Sequence, residues 1–222
     1  MRHRSESQHW RFPPITELPA PVEMIRVPAD LSVDSLLTAY RAGYFPMPIR
    51  RRVAWFSPNP RGIFLPGHIR ITKSLERSMR RFEIRIDTAF AEVITACGDP
   101  ARPLGWINRA IIESFTALHH DGHAHSIEAW DEEGLAGGLY GVSIGGFFAG
   151  ESMFHRRTDA SKAALAALDT IMQTIPGGLI DTQWTTDHLV SLGAFDVTRN
   201  DYAALLTAAL EQPTPSQFGH LS

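Results

Sequence analysis

The chain has 222 residues, a hydrophobic fraction of 44% and a formal net charge of −3. A chain of this size can bury a sizeable core without disulfide or metal crosslinks. Its single cysteine, Cys97, excludes a secreted disulfide scaffold. The polar opening at residues 1–11 does not fit a secretory signal, and no apolar run approaches the roughly 18 residues of a membrane helix. We therefore expect a cytoplasmic protein without a membrane partner. Any nucleic acid would need a local basic patch, because the overall charge offers no attraction.

The N-terminal quarter contains two proline-rich stretches that interrupt regular structure. Residues 1–30 lack periodicity and predict an irregular arm or short edge strands. Asp30 or Ser32 then caps a predicted helix that ends at Gly43. The following Phe45-Pro-Met-Pro is predicted to turn the chain. A second proline turn at 57–62 suggests a boundary, which gives a small N-terminal domain over 1–61 and a larger domain over 62–222.

Hydrophobic periodicity predicts an α+β fold for the larger domain. Helices are expected at 69–82, 87–97, 107–119, 160–175 and 201–210, and strands at 83–86, 126–130, 135–142, 146–153 and 179–184. In the first helix Ile71, Leu75 and Met79 share a face, and Asp87 is expected to cap the second. A β-meander followed by a helix and a strand is typical of an acyltransferase core.

Two polar residues in the last predicted strand are candidates for chemistry. Asp181 and Gln183 lie two positions apart, so their side chains leave the same face of a strand. A carboxylate and an amide there can position an attacking amine and stabilise its developing charge. The spacing fits equally an edge strand with a polar face toward solvent.

A third candidate, Glu151, is surrounded by apolar residues in the run Phe147-Phe-Ala-Gly-Glu-Ser-Met-Phe. Desolvating an unpaired carboxylate costs several kcal/mol, so a partner is expected. That partner is either a basic group of a ligand, or an internal arginine or Lys162 in a purely structural role.

The region around residues 69–86 carries six basic side chains against Glu76 and Glu83, a local charge of +4. The basic residues are Arg70, Lys73, Arg77, Arg80, Arg81 and Arg85. They suit phosphate binding, although a solvated helix face explains them as well. Trp106, before a helix, is a candidate platform for stacking a base. The histidines of residues 119–125 lack metal-site spacing, so no metal is predicted there.

Taken together, these motifs resemble the leucyl/phenylalanyl-tRNA–protein transferase family across roughly residues 30–200. The matching segments are Ala39-Tyr-Arg-Ala-Gly-Tyr-Phe-Pro, Trp55-Phe-Ser-Pro-Asn-Pro-Arg, Thr72-Lys-Ser-Leu, Trp106-Ile-Asn-Arg, Gly122-His-Ala-His-Ser-Ile-Glu-Ala-Trp, Gly137-Gly-Leu-Tyr-Gly-Val, Gly150-Glu-Ser-Met-Phe, Ala160-Ser-Lys-Ala-Ala-Leu, Leu179-Ile-Asp-Thr-Gln and Asp187-His-Leu-Val-Ser-Leu-Gly-Ala. Their common order makes the resemblance far more specific than any single motif.

The resemblance implies a small N-terminal domain followed by a GCN5-related acyltransferase-like (GNAT-like) domain. It also implies transfer of Leu, Phe or Met from aminoacyl-tRNA to proteins with N-terminal Arg or Lys, which marks them for degradation. Gln183 would draw a proton from the α-amine, Asp181 would support that amine, and Glu151 would recognise the basic residue or orient the attacking group. No metal or other cofactor is implied, since the aminoacyl ester is already activated, and we expect a monomer.

The resemblance further implies two binding surfaces. The apolar aminoacyl side chain would be held by Leu139, Phe148, Gly150, Met153, Leu168 and Ile180. Trp106 would contact the terminal adenosine, and the basic residues between Arg70 and Arg85 would follow the acceptor stem. Met47 stands where the family usually has tryptophan, so an aromatic contact is missing or is supplied by Trp55. Leu139 replaces an expected methionine, and the arm before Asp30 matches poorly.

Two other functions are open to a chain of this kind. A coenzyme-A-dependent N-acetyltransferase would need a glycine-containing Gln/Arg-x-x-Gly-x-Gly/Ala loop before the long helix. The sequence here is His155-Arg-Arg-Thr-Asp-Ala-Ser-Lys, which has no glycine. A non-catalytic RNA-binding adaptor would use the basic helix alone and would not depend on Asp181 or Gln183.

Overall fold

The computed structural model describes residues 10–49, 52–101 and 105–219, so the first nine residues of the predicted arm lie outside it. The helices of these ranges are α1 (Val33–Arg41), α2 (Lys73–Met79), α3 (Phe90–Cys97), α4 (Arg109–His120), α5 (Ala160–Met172), α6 (Asp187–Ser191) and α7 (Arg199–Leu210). The strands are β1 (Met24–Ile25), β2 (Phe45–Ile49), β3 (Arg52–Phe56), β4 (Arg61–Phe64), β5 (Glu83–Ile86), β6 (Ala124–Asp131), β7 (Gly134–Ile144), β8 (Phe147–His155), β9 (Leu179–Gln183) and β10 (Phe195–Val197). No helix in this described part of the chain combines the length and apolarity needed to span a bilayer.

The strands form two sheets. The N-terminal region contributes a three-stranded antiparallel sheet in the order β1-β3-β2. The larger sheet has seven strands in the order β10-β4-β9-β8-β7-β6-β5, in which β8 and β9 pair in parallel and the other neighbours are antiparallel. This arrangement confirms the α+β prediction, with a small N-terminal region before a larger domain.

The seven-stranded sheet is covered on both faces because its central strands alternate between two apolar clusters. Leu179 belongs to a cluster that includes residues of α1, α3, α4 and α7, whereas the next residue, Ile180, belongs to a cluster built with α5. The first cluster also contains Leu36 and Trp55, so the N-terminal region shares its core with the larger domain. Arg61 and the following glycine lie in β4 of the large sheet. The boundary between 61 and 62 stays a prediction.

Arg199 joins the two ends of the chain. Its buried guanidinium donates hydrogen bonds to the carbonyl oxygens of Leu18 (3.1 Å), Pro19 (3.4 Å), Val22 (2.6 Å) and Ser57 (3.2 Å). Each of these carbonyls lies in irregular backbone that has no ladder partner of its own. One side chain at the start of α7 therefore satisfies and positions the N-terminal arm.

The predictions for the N-terminal helix and for the meander are confirmed, but the predicted turn at residues 45–48 is wrong. Ser32 caps α1, accepting a hydrogen bond from Ser35 N at 3.4 Å. The turn is instead strand β2, which pairs with β3 along five residues, from Phe45 to Ile49. Its two prolines are tolerated because β2 is an edge strand, where a missing N–H donor costs little.

Two helix starts also differ from expectation. α2 begins after Thr72, which caps it, so Ile71 lies outside the helix and its side chain is 46% exposed. Asp87 does not cap α3, because its carboxylate accepts Ser126 N at 2.8 Å. The free N–H at the start of α3 is satisfied across the sheet by Glu128, a long-range partner that sequence spacing cannot reveal.

Gly141 in β7 provides a test of this packing. A Cβ atom at Gly141 would lie 2.2 Å from Ala149 O and 2.5 Å from Cε1 of Phe148. Because the first clash is with backbone, Gly141→Ala should lower the free energy of unfolding by about 1–3 kcal/mol or more in urea denaturation. Gly150→Ala is the matched control, since its Cβ would meet Asp181 O at 3.6 Å, an ordinary van der Waals distance. Equal stability of the two variants would contradict the described packing.

Candidate active site

The parallel strands β8 and β9 part at the centre of the large sheet. Their pairing covers three residue pairs and ends at Ala149 and Asp181. Each strand then carries an extra residue relative to its other neighbour, Glu151 in β8 and Thr182 in β9. Such bulges redirect side chains and are common beside active sites. The result is a gap between two strands, with Glu151 on one side and Gln183 on the other.

The floor of this gap is a buried ion pair. Arg61 donates from Nε and Nη2 to the two carboxylate oxygens of Asp181, at 2.8 and 2.6 Å, and both residues are almost fully buried. The hydroxyl of Tyr202 donates to the same carboxylate at 2.9 Å, and the backbone N–H of Gln183 donates at 2.9 Å. The charge of Asp181 is thus fully compensated without solvent.

Arg61 also ties the N-terminal region to this site. Its guanidinium carbon lies 4.9 Å from the ring centroid of Phe45 and 4.4 Å from that of Tyr202. Nη1 donates to Gly43 O at 3.2 Å. Burial alone would lower the pKa of this guanidinium, but the adjacent Asp181 carboxylate outweighs burial and raises the pKa. Arg61 therefore remains a cation that holds three separate parts of the chain together.

Glu151 lies on the same face of the sheet as Asp181 and is only partly exposed. The hydroxyl of Tyr40, in α1, donates to its Oε1 at 2.7 Å. Burial raises the pKa of the Glu151 carboxyl to about 8, the Tyr40 hydrogen bond lowers it, and the nearby Asp181 charge raises it further. At neutral pH the protonated form of this carboxyl is therefore favoured.

Gln183 is held in an uncommon conformation with its amide unpaired. Its φ is +62°, in the left-handed region, at the end of β9. The side chain is 7% exposed, and its amide nitrogen is buried without a hydrogen-bond partner among the described residues. A buried amide that lacks a partner next to an open gap is suited to bind a polar group of a ligand.

The candidate pocket residues meet on the opposite face of the sheet. Leu139, Phe148, Leu168 and Ile180 belong to the apolar cluster built around α5, with Met153 packed against it. Gly150 lies at the gap itself, close to the backbone of Asp181. The sheet therefore separates the polar candidates Glu151 and Asp181 from the apolar ones.

The candidate tRNA residues lie apart from this site. Trp106 packs on the core in the segment before α4, with no described contact to Glu151 or Asp181. The basic residues lie on and around α2 and β5. Arg85 is partly exposed, and the other five are exposed. Arg80 pairs with Glu76 at 3.3 Å and Arg85 with Glu83 at 2.8 Å.

Several alternatives raised by the sequence are wrong. Asp181 is fully buried and β9 is internal, so the polar edge strand is excluded. Lys162 binds Asp159 at 2.9 Å and does not pair with Glu151. Trp55 is fully buried and packs on Phe12, so it cannot supply an aromatic ligand contact near Met47.

Three residues of the site were not found by sequence reasoning as functional groups: Arg61, Tyr40 and Tyr202. In the sequence, Tyr40 lies within the predicted N-terminal helix and Arg61 within the predicted proline turn at 57–62, and neither position indicates chemistry. The need of Asp181 for a buried cation was the one available signal, but the sequence offers many arginines. Trp184 was also missed as a site neighbour. It follows Gln183, is 39% exposed and packs edge-on against Phe45 at 5.1 Å.

A family model described as leucyl/phenylalanyl-tRNA protein transferase matches residues 63–207, and the model of its N-terminal domain matches residues 29–59. The chain belongs to the leucyl/phenylalanyl-tRNA–protein transferase family. Tyr40 falls within the N-terminal match of this transferase family, and Glu151, Asp181, Gln183 and Tyr202 fall within the larger one.

Individual transferases of this family are similar along nearly the whole chain. The protein named leucyl/phenylalanyl-tRNA–protein transferase in Aromatoleum aromaticum is 44% identical over 93% of this chain and 90% of its own length. The protein of the same name in Solidesulfovibrio magneticus is 45% identical over 90% and 83% of the two chains. That of Thiobacillus denitrificans is 44% identical over 91% of each.

The buried ion pair predicts a large effect on stability for a nearly isosteric change. Asp181→Asn leaves Arg61 buried without a countercharge and should lower the free energy of unfolding by about 3–5 kcal/mol. Glu83→Gln, which breaks the exposed bridge to Arg85, is the control and should have no measurable effect. Urea denaturation of both variants measures the difference, and similar midpoints would contradict the role assigned to the pair.

Glu151 predicts a pH dependence of stability. Its folded pKa is raised above the unfolded value, so its stabilising contribution is complete below about pH 4 and is lost as the pH rises through 8. Compared with Glu151→Gln, which mimics the protonated form, the wild-type protein should lose stability between about pH 5 and pH 9, with a slope of at most about 1.4 kcal/mol per pH unit. Urea denaturation across this range tests the prediction, and parallel curves would refute it.

Proposed function

We propose that this protein transfers Leu, Phe or Met from aminoacyl-tRNA to the α-amino group of proteins that begin with Arg or Lys, and so marks them for degradation. Membership of the leucyl/phenylalanyl-tRNA–protein transferase family supports the reaction class. The observation that carries the assignment of the site is the Gln183 side chain at the gap between β8 and β9, whose amide nitrogen is buried without a hydrogen-bond partner in the described part of the chain.

The chemistry needs little beyond alignment. An aminoacyl ester is already activated, so the protein must bring an uncharged amine to the ester carbonyl, and proximity can supply several kcal/mol of the barrier. The side-chain oxygen of Gln183 accepts a hydrogen bond from the attacking amine and draws on its proton as the C–N bond forms. The ester C–O bond then breaks, and the proton passes to the departing 3′-oxygen of the tRNA. Asp181 supports this group from below, since its carboxylate receives the backbone N–H of Gln183. No step requires a metal or a cofactor.

Glu151 is suited to recognise the basic first residue of the acceptor. With a pKa near 8 the empty site holds the carboxyl in its neutral form. A bound guanidinium or ammonium favours the carboxylate and displaces the proton, so a cation is bound strongly and a neutral side chain is not. Tyr40 holds the carboxyl in place through its 2.7 Å hydrogen bond.

The apolar cluster on the α5 face is proposed to select the aminoacyl side chain. Leu139, Phe148, Met153, Leu168 and Ile180 offer a hydrophobic environment that rejects polar amino acids by their desolvation cost. Discrimination among apolar side chains is weaker, about 1–3 kcal/mol per methylene, and depends on pocket shape. Gly150 leaves room at the gap for the aminoacyl group to reach this face.

The basic surface on α2 is proposed to bind the tRNA acceptor stem. Of its six cations, Arg70, Lys73, Arg77 and Arg81 form no ion pair within residues 10–49, 52–101 and 105–219. Arg81 instead donates to Ser78, so Arg70, Lys73 and Arg77 are the cations most available for phosphates. Binding through such contacts falls with salt concentration. Trp106 is proposed to stack on the terminal adenosine.

The larger domain is proposed to have a GNAT-like fold, with the domain boundary at residues 61–62. The parallel strands β8 and β9, joined through α5 and parted beyond Ala149, support this assignment. We further propose that the protein acts as a monomer in the cytoplasm.

The reaction can be tested with tRNA carrying labelled leucine and a model protein that begins with Arg. The wild-type protein should move label into acid-stable protein, whereas an acceptor that begins with Gly should receive none. Gln183→Ala should lower kcat/KM by about 10²-fold or more, because the amine loses its hydrogen-bond acceptor. Thr182→Ala is the matched control, since this neighbouring side chain bonds only its own strand end, at Trp184 O.

Each outcome separates one part of the proposal from another. Transfer that survives in Gln183→Ala would keep the reaction but remove Gln183 from its role. Intact tRNA binding without transfer by the wild-type protein would favour the RNA-binding adaptor, and transfer of acetyl groups from coenzyme A would favour the N-acetyltransferase.

A further inference from the structure

The segment that follows α7 crosses from one face of the large sheet to the other. We call residues 211–219 the C-terminal strap. α7 packs on the cluster shared with α3 and α4, through Tyr202, Leu206 and Ala209. The strap then continues to the α5 face, where Phe218 is buried in the apolar cluster.

The β7–β8 turn is shaped to let the strap pass. Gly146 N donates to Ala209 O at 2.8 Å, which fixes the end of α7 against the turn. A Cβ atom at Gly145 would lie 2.7 Å from Gln212 O, and one at Gly146 would lie 2.9 Å from Gln212 Cβ. The strap therefore runs directly over two glycines, so close that a Cβ atom at either position would clash with Gln212.

Phe218 anchors the strap in the interior. It ends the short 3₁₀ turn Ser216–Phe218, with its N–H bonded to Pro215 O at 2.9 Å. Its side chain is 2% exposed, although its neighbours Gln217 and Gly219 are exposed. Burial this complete, between exposed neighbours, indicates that the ring has a defined position in the core.

The ring of Phe148 lies between Phe218 and the backbone of Gly141. The centroids of Phe148 and Phe218 are 5.6 Å apart with an interplanar angle of 29°. On the other side, the Cε1 and Cζ atoms of Phe148 are 2.5 and 2.8 Å from the position a Cβ would take at Gly141. Neither side leaves room for the Phe148 ring to turn.

Phe218 is itself held from behind by a polar pair. The imidazole of His125 stacks on its ring, with centroids 4.5 Å apart and an angle of 17°. His125 in turn is fixed by Asp87, through an Nδ1 to Oδ2 contact of 2.7 Å. A rigid series of contacts thus leads from Asp87 to the ring of Phe148.

We propose that Phe218 is a positioning residue for aminoacyl selection: by fixing the Phe148 ring, it sets the size of the apolar side chain that the pocket accepts. The inference rests on the proposed function, in which Phe148 lines that pocket. Without the Phe218 ring, Phe148 turns into the vacated space and the pocket widens. The wider pocket favours phenylalanine over leucine as the transferred residue.

The test uses the full chain and a mixture of leucyl- and phenylalanyl-tRNA that compete for one acceptor. The ratio of the two kcat/KM values does not depend on how much of the enzyme is folded, so a merely structural role would leave it unchanged. In Phe218→Ala the ratio of phenylalanine to leucine transfer should rise by about five-fold or more, given the 10–200-fold discrimination that one methylene can produce. Phe218→Leu, which keeps the interior filled, should give an intermediate ratio. Gln217→Ala, an exposed neighbour, should match the wild type.

The outcomes distinguish this inference from the proposed function. An unchanged ratio in active Phe218→Ala and Phe218→Leu would overturn the positioning role while leaving the reaction intact. A wild-type protein that transfers neither residue would overturn the proposed function and, with it, this inference.

Discussion

The arrangement of the site depends on one buried ion pair, between Arg61 and Asp181. Burying two charges is costly, and the cost is offset only when every donor and acceptor finds a partner. Here the carboxylate receives Arg61, Tyr202 and the backbone of Gln183, while the guanidinium reaches Gly43 and lies between two aromatic rings. Residues from four distant parts of the chain must therefore reach their places together. The unusual backbone of Gln183 is stable because this pair fixes the residue two positions before it.

The second constraint is the parting of β8 and β9. A continuous sheet would pair every backbone group and leave no room for a ligand between strands. The bulges at Glu151 and Thr182 end the pairing early and turn polar side chains toward the opening. The sheet thus presents the carboxylates of Glu151 and Asp181 on one face and the apolar cluster built with α5 on the other. Such a division suits a reaction whose substrate has a reactive ester and a hydrophobic side chain.

The sequence was informative where local pattern decides structure. Helix α1 with its Ser32 cap, strand β5 and the β-meander followed from periodicity and turn residues. Asp181 and Gln183 were found as candidates because their spacing places them on one face of a strand, and Glu151 because it is polar within an apolar run. The resemblance to a known family supplied the pocket residues. All of them except Gly150 share one apolar cluster, a grouping that local pattern alone did not establish.

What the sequence did not reveal depends on tertiary partners. Arg61 lies 120 positions from Asp181, and no local signal separates it from the many other arginines. β2 contains two prolines and was predicted to be a turn, because its pairing with β3 is a property of the sheet and not of the segment. Likewise, the expected cap at Asp87 was wrong, because its carboxylate binds the backbone of Ser126, while Glu128 in β6 accepts the N–H of Ala89 just before α3.

The hydrogen bonds of Arg199 have a consequence for synthesis on the ribosome. The N-terminal arm leaves the ribosome first, but the guanidinium that satisfies the carbonyls of Leu18, Val22 and Ser57 is made near the end of the chain. During translation this arm therefore has no final docking site. The core around α1 and β3 is also incomplete, because it includes residues of later helices. Docking of the N-terminal region is thus completed only once Arg199 is free to pack, and not as the region itself emerges.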